Sequence, residues 1–254
     1  MASHLKDFLA ARGKRLAQQA VRLRAALTKM SQDDQEAARA LAEQIVAELD
    51  LGDWGRLVPE VQQLLLSVTE DGIRVAFAQI GVTPSAELTA QVNLQALAFA
   101  RERAAELVGM RIGADGALLE NPDAEWAISD ATRTLLRGDI VSALEEGLSN
   151  QDFAAHLEQS YAFSADRAEA IARTEIARAD VEGNMTAWRD SGVVGGKEWF
   201  LSADHEDDDE CDDAAALGVV PLDDDFGGIG DPPAHPRCQC DVSPVLASEM
   251  EDGA

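Results

Sequence analysis

Four side chains in the last quarter of the chain carry the donor atoms a transition metal prefers: the thiols of Cys211, Cys238 and Cys240 and the imidazole of His235. Zinc takes thiolate and imidazole in a tetrahedral set, and an ion bound to these four would fasten the segment 204–213 to the segment 232–240. Four protein donors leave no open coordination position, so such a centre would be structural rather than catalytic. The spacing is less specific than a pair of CxxC motifs, because Cys211 stands alone and Cys238-Gln239-Cys240 is a tight CxC. Two other readings stand beside the metal: reduced cysteines and a histidine filling a small folded knot, or a disulfide formed once reducing conditions are lost. Three cysteines are too few for a disulfide framework.

The same region is strongly acidic, with 8 acids among the ten residues 204–213, followed by Asp223, Asp224 and Asp225. Hard cations bind such oxygens, but an EF-hand needs acids at alternating positions around a central glycine. The run has neither, so it reads as a solvated loop of mutually repelling charges, with Asp207, Asp208 and Asp209 as candidate contacts for a partner. Enzymatic motifs are thin. No HExxH, GxSxG or phosphate-binding loop ending in Lys-Ser/Thr occurs. Gly227-Gly228-Ile229-Gly230 runs into Pro232-Pro233 and lacks the strand and helix that frame a nucleotide loop, while His4, His156 and His205 are scattered. These absences point to a non-enzymatic protein without a small-molecule substrate.

Charge separates the two ends. The net charge is -26, from 47 acids against 21 Lys and Arg, which opposes the approach of phosphate backbones. From Lys197 onward there are 17 acids and 2 basic residues, whereas residues 1–30 carry 7 Lys or Arg against the single acid Asp7. Lys6, Arg12, Lys14, Arg15, Arg22 and Arg24 are therefore candidates for docking on an acidic protein surface, with DNA a weaker option. No uninterrupted apolar run reaches the length of a membrane span, and no apolar stretch precedes a small-residue cleavage site near the N-terminus, so neither an anchor nor a secretion signal is expected.

The elements that must position these residues are mostly helical. Residues 5–48 are rich in Ala, Leu, Gln, Arg and Glu without proline, with a helix start expected at Ser31-Asp33-Asp34. Further helices are expected over 59–79, 90–108, 126–136, 139–146 and 150–161, with a loop or short hairpin over 110–125. Ser164 caps the clearest helix, running to Asp190, whose Ala168, Ile171, Ala172, Glu175, Ile176, Ala179 and Met185 form an apolar stripe containing one carboxylate. Short strands are expected at 197–203, 219–222 and 240–245, and Trp54, Trp126, Trp188 and Trp199 read as core or interface anchors. The fold class is α+β: a predominantly helical body with a small C-terminal β-hairpin-like, zinc-stapled module. It divides into a basic helical arm (1–50), a helical body ending in the helix 164–190 (51–192), the small acidic β and loop module with the Cys/His cluster (193–246) and a flexible tail (247–254).

The stretch RAEAIARTE at 167–175 and the stretch PPAHPRCQC at 232–240, with Trp199, Asp204 and Cys211 between them, resemble the phage head morphogenesis family, the Mu F-like minor capsid proteins. Arg167-Ala168-Glu169-Ala170-Ile171-Ala172-Arg173-Thr174-Glu175 resembles the signature helix, with Ala179 and Gly183 at its small positions. Trp199, Asp204 and Cys211 match the following strand and loop, and residues 232–240, PPAHPRCQC, resemble the closing motif. The chain departs from the pattern at Ala214, where relatives often carry a second cysteine, and at Gln239, where they often carry arginine. The resemblance covers about the last 120 residues and implies a virion-head protein assembled in the host cytoplasm, in contact with portal or major capsid protein. It implies no catalytic activity. A nucleic-acid-binding ejection protein and a metal-dependent hydrolase are the alternatives. Within the signature, Arg173, Thr174 and Glu175, together with Trp199, are expected to form a polar network that locks this helix to the C-terminal module.

Overall fold

The computed structural model describes residues 2–27, 35–49, 54–124, 127–203, 205 and 209–251. Two compact units are discontinuous in sequence: unit 1 is Met1–Val58 with Ala105–Glu169, and unit 2 is Pro59–Ala104 with Ala170–Ala254.

Unit 1 contains α1 (Ala2–Leu27) and α2 (Gln35–Glu48), a 3-10 turn at Trp54–Leu57 and, after the return of the chain, the strands β1 (Met110–Ile112) and β2 (Leu118–Glu120) and helices α5 (Ile128–Glu145) and α6 (Asn150–Glu158). Helices α3 (Val58–Gln79) and α4 (Ala86–Glu106) lie between these segments in the chain. Within unit 1, α1 packs on α2 and α6, and α2 packs on α5. Leu5, Leu9, Leu16, Ala17 and Ala20 of α1, Ile45 of α2, Leu136 and Ile140 of α5 and Phe153 of α6 are buried at three-or-four spacing. Residues 110–120 form a hairpin, Met110 opposite Glu120, whose turn is closed by Asp115 accepting from the Ala117 amide at 3.1 Å. Ser149 caps α6 by accepting from the Asp152 amide. The expected helix start at Ser31 and the anchor Trp126 lie outside the described residues.

The N-terminal segment is a packed helix rather than a separate arm, and two of its expected partner contacts point inward. Arg12 is buried, its guanidinium 4.2 Å from the Phe8 ring centroid and 4.4 Å from that of Trp54, and Arg24 lies 4.9 Å over Phe153. Their positions fall on the apolar face of α1, where aromatic faces attract a cation that would otherwise be costly to bury. Lys6, Lys14, Arg15 and Arg22 remain exposed.

Ser164, opening α7 (Ala165–Ser191), accepts from the Arg167 amide at 3.0 Å, the cap expected from sequence. Arg167 itself is buried and, among the described residues, pairs with no carboxylate. Its Nη1 donates to Thr132 Oγ1 at 2.9 Å and to the Ala162 carbonyl at 2.6 Å, and its Nη2 donates to the Ile128 carbonyl at 3.1 Å. Burial lowers its pKa to about 10. One guanidinium thereby ties the start of α7 to α5 and to the 3-10 turn Tyr161–Phe163. Arg167→Ala should cost about 2–4 kcal/mol in urea unfolding, because charge-assisted hydrogen bonds and packing are lost together. Thr132→Val, which removes one acceptor, should cost about 1 kcal/mol.

Unit 2 holds α3, most of α4 and α7, and the C-terminal elements β3 (Val194–Phe200), α8 (Glu210–Ala216), β4 (Val219–Pro221), β5 (Asp241–Leu246) and α9 (Ala247–Glu251). Predominantly helical structure with a small C-terminal antiparallel sheet is what the patterning predicts, but the sheet is not a hairpin. Strand β3 is central, in the order β4-β3-β5, and both neighbours are antiparallel to it. Strand β3 also starts three residues earlier than expected. Gly195 and Gly196 look like a break in the sequence, yet a Cβ on either would come within 3.0 Å of Met250 Sδ, so α9 can lie against this strand only where side chains are missing. The final residues therefore begin as a helix packed on β3 and β5, not as a tail.

Candidate metal centre

The sheet and its loops bring the two halves of the Cys/His cluster into the core of unit 2. Cys211, Cys238 and Cys240 are buried in one apolar cluster with Trp188, Trp199, Phe226 and Val242. Trp199 meets Phe226 edge to face, with ring centroids 5.1 Å apart. Cys211 sits in the first turn of α8, whose N-cap is Asp209. Asp209 Oδ1 accepts from the Cys211 amide at 2.8 Å, and the Asp212 carboxylate returns to the Asp209 amide, a capping box that fixes where the first thiol points.

Cys211 Sγ lies 3.6 Å from Cys238 Sγ and 3.5 Å from His235 Nε2. Ordinary zinc bond lengths in a tetrahedron place two sulfurs about 3.8 Å apart and a sulfur and a nitrogen about 3.6 Å apart. The donor atoms of Cys211, His235 and Cys238 all lie within 4.8 Å of one another. They are close enough to hold one metal ion. The histidine ring is held by its far nitrogen: Nδ1 is 3.0 Å from the Pro236 carbonyl, so Nε2 is the atom turned toward Cys211 Sγ and free to ligate a metal once it gives up any proton shared with Asp209. Burial pushes the thiols of Cys211 and Cys240 up from the ordinary thiol value, so without a cation these sulfurs stay protonated and inert.

Cys240 lies beside Cys211, near enough for their sulfurs to interact, but outside the set of three mutually close donors. Asp209, expected from sequence as a partner contact, stands at the site instead, with Oδ2 3.2 Å from His235 Nε2. Asp204, Asp207 and Asp208 lie outside the described residues. His205, which looked unconnected, is held by the Ser202 carbonyl at 2.8 Å and Asp212 at 3.2 Å, and this acceptor pair raises its affinity for protons.

The polar residues of the helix resembling a signature are placed unequally. Glu175 is 2% exposed and receives two hydrogen bonds from Arg103 of α4, Nε to Oε2 at 2.8 Å and Nη2 to Oε1 at 2.7 Å. Thr174 is buried, donates to the Ala170 carbonyl at 2.8 Å and accepts from the Arg237 amide at 2.9 Å. That second bond holds the closing motif against α7, one residue before Cys238. Arg173, expected to complete this network, is exposed, because its position turns it off the stripe that carries Ala172 and Glu175. Sequence also missed Lys197, 2% exposed, whose Nζ lies 2.5 Å from Asp231 Oδ1 and ties β3 to the loop before the closing motif. A lone lysine inside a strand reads as solvent-facing, and nothing in the spacing marks its partner 34 residues on.

Every candidate ligand, both sides of the capping box and the closing motif fall inside a single match. A family model described as Phage Mu protein F like protein matches residues 135–243. The matched segment starts in α5 and ends in β5, and it fits a distant relationship to this phage morphogenesis family. No curated protein matches, and no solved structure matches. Among the described residues no helix is long and apolar enough to cross a membrane.

Proposed function

We propose that this chain is a non-enzymatic minor head protein of a tailed phage or prophage, acting by holding portal, capsid protein or packaged DNA during head assembly or DNA delivery. The observation that carries this reading is the match over residues 135–243, which contains the whole Cys/His cluster and the elements that position it. In this reading a structural zinc ion is held by Cys211, His235 and Cys238, with Cys240 completing the set. Bound there, the ion would supply a cross-link between α8 and the closing motif within the core of unit 2. Thr174 and the Trp199–Phe226 pair would hold the closing motif and sheet in register around it. The partner contacts assigned to the protein are the exposed cations Lys6, Lys14, Arg15 and Arg22 of α1 and the acidic run that includes Asp207 and Asp208.

The test is quantitative mass spectrometry of purified mature particles and of empty precursor heads from the same source. Presence in both, at a few copies per portal, is the expected result. Absence from both, with the protein free in the lysate, would overturn the head assignment.

A further inference from the structure

Away from the cysteines, unit 2 carries a cleft of about 490 Å³ between α3, α7 and the β3–β5 pair. Its walls are of two kinds: Val75 and Phe200 are apolar, and Asp180, Asn184, Asp241 and Ser243 are polar. Asn184 is only 7% exposed, and among the described residues its amide has no protein hydrogen-bond partner, its polar atoms reaching solvent through the cleft it lines. A side chain buried this far whose polar atoms open only into a cleft presents them to whatever enters it, so the unpartnered amide points to a ligand. The Asp180 carboxylate is likewise unpaired. Asp241 uses Oδ1 to accept from the Val242 amide at 2.8 Å, and among the described residues no cation pairs with it.

The occupant that satisfies these walls is a cation with an apolar stem. Burial, followed by repulsion from Asp241 and Asp71, pushes the Asp180 carboxyl up from its ordinary range, and burial does the same to Asp241, the pattern of acids that lack a counter-charge. A bare divalent ion fits poorly, because only two carboxylates face the cleft and they form no dense ligand cluster of the kind the cysteines and His235 make. Phe200 at the rim is 63% exposed, an unusual position for phenylalanine and a suitable face for a planar guanidinium to cross. Free arginine would bring its own carboxylate into a chain of net charge -26, whereas an arginine within a peptide brings none.

We infer that this cleft receives an arginine side chain presented by a partner polypeptide, with the guanidinium between Asp180 and Asp241, the Asn184 carbonyl oxygen as a further acceptor, and the stem along Val75 and Phe200. The assignment stands on the cleft alone and is independent of the head-protein reading.

The probe is the blocked amino acid N-acetyl-arginine N-methylamide, titrated into the full-length ¹⁵N-labelled chain while the Asn184 side-chain resonance, assigned by its loss in Asn184→Ala, is followed. A saturable shift is expected with the arginine probe and not with its neutral citrulline counterpart. Asp180→Asn, which relieves an unpaired charge and should fold, is expected to weaken binding on the order of tenfold, the loss typical of a charge-assisted hydrogen bond. Should that variant fail to fold, Asp241→Asn gives the same reading. An equal response to citrulline would overturn the proposal by showing purely apolar binding. Tighter binding of free arginine than of the blocked probe would overturn the polypeptide source, and broadening of the Asn184 resonance by Mn²⁺ with no response to arginine would make the cleft a cation site instead.

Discussion

Glu175→Ala is expected to cost about 3–5 kcal/mol of stability, because it leaves the Arg103 guanidinium in the core without its bidentate partner. Both side chains are nearly inaccessible, 6% and 2% exposed, so water cannot replace the carboxylate. The size of the loss reflects an uncompensated buried charge more than the net worth of the pair. The double variant Arg103→Met, Glu175→Leu therefore should recover most of it, since the two apolar side chains occupy similar space and strand no charge. Arg173→Ala, two residues away on the exposed face, should change stability by less than about 1 kcal/mol. Urea unfolding of the four proteins distinguishes this from a surface role: a Glu175→Ala loss below about 1 kcal/mol would show that the pair does not hold α4 to α7.

Gly183→Ala is expected to cost about 3 kcal/mol or more, although alanine is the better helix former by about 1 kcal/mol. A Cβ at this position would sit 2.4 Å from the Thr69 carbonyl oxygen and 3.0 Å from the Ile73 amide nitrogen, both backbone atoms of α3. Gly72 faces it: its added Cβ would stand 2.8 Å from the Asp180 carbonyl oxygen. The two glycines thus let α3 and α7 approach backbone to backbone, and a methyl group on either can be admitted only by moving a helix. Gly138 of α5 is the matched control, since a Cβ there meets nothing within 4 Å. Gly138→Ala should raise stability by up to about 1 kcal/mol through helix propensity and reduced unfolded-state freedom. Thermal melts of Gly183→Ala, Gly72→Ala and Gly138→Ala decide the matter, and a stabilised Gly183→Ala would contradict the close crossing.

What sequence could reveal followed from local physics. Helix-forming composition and the serine cap at position 164 act over a turn or two of chain, and the corresponding elements are present. The same holds for the proximity of Cys211, His235 and Cys238, because donor chemistry limits what such a group can do when it converges. The parts that could not be read depend on distant partners. Arg103 is 72 residues from Glu175, and nothing near either position announces the pair. Arg12 and Arg24 look like members of a basic surface until the aromatic rings above them are located. Gly195 and Gly196 suggest a loop when judged by strand propensity, whereas the packing of α9 requires their missing side chains. Asp209 is hidden for a different reason: within a run of acids, only the start of α8 distinguishes the residue that caps a helix beside a candidate metal ligand.

The most direct test of the metal-centred account is the zinc content of the full chain purified without chelator, read together with thiol accessibility. The account predicts one tightly held zinc per chain, Cys211 and Cys238 protected from a thiol reagent until a chelator is added, and loss of the zinc in Cys211→Ser and in Cys238→Ser. A folded chain without zinc, whose thiols react at the same rate with and without chelator and which takes up none when zinc is supplied, would contradict it and leave the cluster as a buried knot of reduced cysteines and histidine.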